Sequence, residues 1–119
     1  HMGSAFTQDR KGMNVLMSQL KKKGLMFLDS RTTADSVAEE LAGQHGVPFI
    51  QRDVFLDHEE TEEYTQKALK DLERIAFEHG QAVAIGHPKA ITLNALKRWI
   101  VSAQKKGIQF VTLSELVAQ

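Results

Sequence analysis

Three apolar runs in this 119-residue chain end in residues that can move protons or hold charge. LMFL runs into Asp29-Ser30-Arg31-Thr32, VPFIQRDVFL into Asp57-His58, and AVAIG into His87-Pro88. An aspartate and a histidine brought to one place support two chemistries. Phosphoryl transfer of the haloacid-dehalogenase type also sets an Asp after an apolar strand, but it needs a second Asp two residues on, where this chain has Arg31. Metal-assisted hydrolysis needs imidazole and carboxylate ligands, a free position for water and a general acid for the leaving group. A bound metal takes the pKa of water from about 16 to about 7, whereas a lone general base contributes about 10² to 10⁴ in rate. For amide or ester hydrolysis the metal is the larger lever. A structural reading stands beside these: Thr32, Thr33 or Ser36 could cap the following helix, and Asp29 could hold its loop through backbone N–H groups.

The elements that must position these residues follow a repeated grammar. Four times a charged, helix-patterned segment ends in a basic residue or His plus glycine, and an apolar run follows: KKKG before LMFLD, GQHG before VPFIQ, FEHG before QAVAIG and QKKG before IQFVT. Glycine just past a helix accepts the left-handed conformation, and a cation in the last turn suits the macrodipole. Apolar stripes predict helices over about 8–23, 34–44, 59–79 and 90–106, with a short last one at 113–117. The runs between them lack strict alternation, the mark of strands buried on both faces of a parallel sheet. The fold class is therefore α/β, about four strands alternating with helices in one domain, 1–119. In such folds the loops beyond the carboxyl ends of the strands converge, so three of four strand ends deliver ionisable groups to one rim. His45 and His79 precede terminating glycines on the opposite edge and read as helix caps. His58, followed by Glu59 and Glu60, reads as the start of a solvated helix.

Composition narrows the partners. Fifteen basic and fifteen acidic side chains cancel, so no strong positive field is present to neutralise phosphates and nucleic acid is not an expected partner. Lys21-Lys22-Lys23 sits where a helix ends and cations are favoured. No apolar stretch approaches the roughly 18 to 20 residues that span a bilayer, so membrane insertion is not expected. With no cysteines, the redox compartment stays open.

HMGSAFT, FLDSRTTADSVA, RDVFLD and AIGHPKAITLNAL, in this order, resemble the motifs of the divergent polysaccharide deacetylase family, relatives of the NodB-homology carbohydrate esterases. The resemblance implies an irregular (β/α) barrel, usually in a bacterial protein exported to the periplasm or secreted. It also implies a divalent metal, commonly zinc, and removal of acetyl groups from an acetylated polysaccharide. Carried over by position, His1 is the candidate metal ligand. Asp29 matches the polar corner that surrounds the metal water and its activating carboxylate, with Ser30, Arg31 and Thr32 on the substrate side. Asp57 matches the family's Phe-Leu-Asp and would orient a partner or contact sugar hydroxyls. His87 resembles the late-barrel histidine that protonates the leaving amine or alkoxide. The alternative is a catalytically inactive envelope domain that binds glycan or a protein partner.

One departure is large. The family begins with a strand ending in an Asp-Asp pair and a second strand carrying a further His, and neither occurs here. The chain therefore reads as the C-terminal part of a larger deacetylase-like barrel, a parallel-sheet fragment with an incomplete metal site. Its sheet edges would then be covered by a missing N-terminal segment, a partner chain or a second copy through self-association.

Overall fold

The computed structural model describes residues 3–117, so His1, the expected metal ligand, lies outside the described residues. The chain divides into two compact units, His1–Gln51 and Arg52–Gln119. Each is a mixed α/β arrangement built around a short parallel strand pair.

In the first unit, α1 (Ser4–Thr7) and α2 (Arg10–Lys23) precede β1 (Phe27–Asp29), and α3 (Ala38–His45) crosses over to β2 (Phe49–Gln51). Met13 and Met17, four residues apart on α2, are fully buried against Ala38, Leu41 and Ala42 of α3. Removing a side chain of that size from water is worth about 1.5–3 kcal/mol, so this seam outweighs the exposed polar contacts of the unit. Parallel register pairs Phe27 with Phe49, and their rings stack with centroids 6.2 Å apart. Helix α2 stops at Gly24, whose φ of 66° lets its N–H reach back to the Leu20 and Lys21 carbonyls. His45 occupies the last turn of α3 before Gly46, as the cap reading expects, and its Nε2 lies 3.0 Å from Asn14 Oδ1.

In the second unit, β3 (Val54–Phe55) and β4 (Ala84–Ile85) are joined through α4 (Glu62–His79), followed by α5 (Ala90–Lys105) and α6 (Leu113–Val117). Helix α4 starts where Thr61 Oγ1 accepts the Tyr64 N–H at 3.1 Å, with Glu62 and Glu63 in the first turn. It packs Ala68, Leu69 and Leu72 against Val54, Leu56 and Ala95.

Two features depart from the sequence expectation. VPFIQRDVFL forms two short strands rather than one, because its halves pair with different strands: 49–51 with β1 and 54–55 with β4. Between them Asp53 brackets Val83, its N–H donating to the Val83 carbonyl at 2.8 Å and its Oδ2 accepting the Val83 N–H at 2.7 Å. The last apolar run, at 109–111, joins no strand pair among the described residues. The four terminating glycines do behave as expected, with φ of 66°, 71°, 86° and 95° at Gly24, Gly46, Gly80 and Gly107.

Helix α3 offers a paired test of this grammar. A Cβ at Gly43, inside the helix, meets no atom within 4 Å, whereas Gly46 sits at φ +71°. Gly43→Ala should raise stability by about 0.5–1 kcal/mol through helix propensity. Gly46→Ala should lower it by about 1 kcal/mol through left-handed strain. Urea midpoints of the two variants moving in the same direction would contradict this account.

Candidate functional site

Two buried aspartates end strands, and each organises its own corner. At the end of β1, Asp29 is 4% exposed. Its Oδ1 accepts the Arg31 N–H at 2.8 Å and its Oδ2 accepts the Ser36 hydroxyl at 2.8 Å. Ser36 Oγ in turn accepts the Ala38 N–H at the start of α3. Arg31 has φ 56°, making it the non-glycine residue with positive φ among those described. That conformation disfavours an L-residue by about 1–2 kcal/mol, and the Asx turn from Asp29 to Arg31 offsets part of it. Ser30 and Arg31 are half-buried, while Thr32 is exposed and shares a hydrogen bond of 2.6 Å with Ser4 Oγ. With both oxygens engaged inside its own loop, Asp29 matches the loop-holding reading of this corner more closely than that of an accessible base.

The corner at the end of β3 is different in kind. The register pairs Val54 with Ala84 and Phe55 with Ile85. Two residues past the last pair on each side stand Asp57 and His87, so the strand pairing itself brings them together. The Asp57 side chain is only 2% exposed and the His87 side chain 62%. Asp57 Oδ1 lies 2.8 Å from His87 Nδ1, and Oδ2 accepts the His87 N–H at 2.6 Å and the Thr92 hydroxyl at 2.8 Å. Because a carboxylate only accepts, the network assigns the neutral imidazole its proton at Nδ1 and leaves the Nε2 lone pair for other partners. Burial pushes the Asp57 pKa up. The hydrogen bonds from the His87 side chain and backbone and from Thr92, together with imidazolium charge, outweigh burial and hold Asp57 below the usual aspartate value. The result is an ionised carboxylate that orients a histidine whose far side can act as a proton donor or acceptor.

The turn carrying His87 has little room. A Cβ at Gly86 would lie 3.2 Å from Thr92 Cγ2 and 3.3 Å from Leu56 Cδ1. Beside His87 runs a groove of about 790 Å³ whose walls include Leu93, Leu96, Trp99 and Phe110. Trp99 and Phe110 meet edge to face, 5.6 Å between centroids.

Thr92 is the functional neighbour that sequence reasoning misses. Its only signal is a hydroxyl residue in the first turn of the helix that follows Gly-His-Pro, a position equally suited to solvent. His58 and His79 are exposed, and His79 lies in the last turn of α4. Among the described residues, no three His, Cys, Asp or Glu side chains come close enough to hold a metal ion.

The second unit thus holds, beyond two paired parallel strands, a buried carboxylate that carries an exposed imidazole. The chain belongs to the divergent polysaccharide deacetylase family, whose model matches residues 1–117. It is 43% identical to an uncharacterized protein of Haemophilus influenzae over 98% of this chain and 41% of the relative. To the uncharacterized protein YibQ of Escherichia coli K12 it is 35% identical, over 84% of this chain and 31% of that protein. A crystal structure of an uncharacterized protein from Agrobacterium tumefaciens C58 is similar with TM-score 0.93 and 33% identity, over 98% of this chain and 47% of the other. The chain spans less than half the length of each of these relatives.

The lowered Asp57 pKa has a signed consequence. Folded Asp57 binds its proton less tightly than an unfolded aspartate, so it contributes stability that is complete above the unfolded value near 3.8 and is lost as pH falls through the lower folded value. Asp57→Asn removes that contribution. The stability difference between wild type and variant, measured by urea unfolding, should be largest at neutral pH and narrow as pH drops past 3.8. A difference unchanged by pH would contradict an ionised, hydrogen-bonded Asp57.

Proposed function

We propose that this chain is part of a metal-dependent hydrolase that removes acetyl groups from a glycan in the bacterial periplasm or outside the cell, and that its strands belong to an irregular (β/α) barrel. Family membership supports the substrate class. The observation that carries the chemistry is the buried Asp57 carboxylate accepting Nδ1 of an exposed His87. Water adds to the acetyl carbonyl as His87 Nε2 takes one of its protons, which makes the ring an imidazolium. When the tetrahedral intermediate collapses, imidazolium Nε2 gives its proton to the departing amine or alkoxide, while Asp57 stays ionised and keeps the ring aimed. Arg31, with Ser30 and Thr32, meets the substrate's developing charge and hydroxyls. Asp29 supports that corner as the assisting or loop-holding carboxylate. The divalent metal, zinc, belongs to the same proposal with His1 as one ligand. The described residues do not assemble a set that fits it, so what this part of the chain supplies is proton transfer and orientation.

A second reading, a catalytically inactive envelope domain that binds glycan or a protein partner, is favoured by the Trp99 and Phe110 walls of the groove beside His87, since aromatic faces are common anchors in recognition.

Acetate release from acetylated oligosaccharides by the full-length parent protein separates the readings. Chelator should abolish turnover, and His87→Ala should lower kcat by about 10² to 10⁴. Chelator-resistant turnover, or an unchanged rate in His87→Ala, would overturn the mechanism. Saturable glycan binding without acetate release would instead support the binding domain.

A further inference from the structure

We infer that Thr92 is a positioning residue for His87, acting through Asp57: its hydroxyl anchors the carboxylate to α5, so that Oδ1 faces the imidazole. Two of the three described donors to Asp57, the backbone N–H and Nδ1, belong to His87 itself. The Nδ1–H turns with the ring and cannot fix its direction, so the carboxylate is held by the other two, the His87 backbone N–H and the Thr92 hydroxyl, which share Oδ2. The Thr92 hydroxyl comes from a different element, the first turn of α5, at 2.8 Å from Oδ2. Thr92 is 1% exposed, so no bulk water is at hand to replace it. A hydroxyl has one proton to donate. Here it goes to Asp57, although a threonine inside a helix commonly returns it to the carbonyl one turn back.

The methyl group of the same side chain sits against the turn that carries His87, where a Cβ at Gly86 would approach Thr92 Cγ2 to 3.2 Å. Packing and hydrogen bonding therefore meet in one residue, and substitutions can separate them. Thr92→Val keeps the branched shape and removes the donor. Thr92→Ser keeps the donor and removes the methyl.

The role rests on the reading of His87 as proton donor, but its primary test does not need turnover. In ¹⁵N spectra of the full-length protein, at a pH where the imidazole is neutral, His87 should show the Nδ1–H tautomer. In Thr92→Val the two ring-nitrogen resonances should move toward each other as the tautomers mix, while Thr92→Ser should match wild type. Retention of the wild-type tautomer in Thr92→Val would overturn the inference, and so would its loss in Thr92→Ser. If Thr92→Val does not fold, the Ser variant alone decides: a retained tautomer supports the hydroxyl, and a lost one points to the methyl. In the glycan assay, Thr92→Val should lower kcat about tenfold with little change in KM, less than the loss for His87→Ala. The tautomer contrast without acetate release from wild type would support the positioning role and overturn only the hydrolase reading.

Discussion

The second unit depends on one constraint, that a carboxylate taken out of water must have its oxygens satisfied. An isolated buried carboxylate is disfavoured by several kcal/mol, and Asp57 escapes this by gathering three donors. Meeting that requirement sets much of the local architecture. The β3–β4 register must place Asp57 beside His87. A one-residue slip would turn alternate side chains to the other face. Gly86 must stay small so that the turn can lie against Leu56 and Thr92. Helix α5 must begin close enough for Thr92 to reach Oδ2. Strand pairing, glycine placement and helix start are thus three consequences of one desolvated charge.

The two aspartates show how similar strand ends acquire different roles. Asp29 and Asp57 are buried to nearly the same degree, 4% and 6% exposed. Among the described residues, the donors to Asp29 are a backbone N–H and a serine hydroxyl from the next few residues. Neither titrates near neutral pH, and the outcome is a shaped loop with Arg31 held in a left-handed conformation. The donors to Asp57 lie 30 and 35 residues away and include an imidazole. A long-range donor on a titratable ring ties the buried charge to an exposed imidazole, whereas short-range neutral donors shape a loop.

These differences mark how far the sequence could be read. The helix ends were legible because their cause is local: each of Gly24, Gly46, Gly80 and Gly107 follows a charged helical segment and adopts positive φ. The split between β2 and β3 was not, since only the structure shows 49–51 pairing with β1 and 54–55 with β4. The run at 109–111 carries a strand pattern but no information about a partner, and among the described residues it pairs with none. Asp57 and His87 stood out as ionisable groups at strand ends, yet their contact is a property of parallel register, which periodicity does not encode. Thr92 was hidden for a further reason. A threonine in a first helical turn has several ordinary uses, and nothing local tells a solvent-facing hydroxyl from one turned toward a carboxylate.

Stability alone accounts poorly for Asp57. Replacing buried charged groups together by apolar ones of similar volume is often neutral or stabilising, and the same unit already has an apolar core that includes Leu56, the residue before Asp57. What an apolar residue could not do is hold one nitrogen of a 62% exposed imidazole while leaving the other accessible. The Asp29 corner needs no such explanation, because its hydrogen bonds already account for the strained Arg31 turn. The desolvated charge of Asp57 therefore does what a hydrocarbon side chain could not: it orients an accessible ring and leaves Nε2 facing outward from the contact.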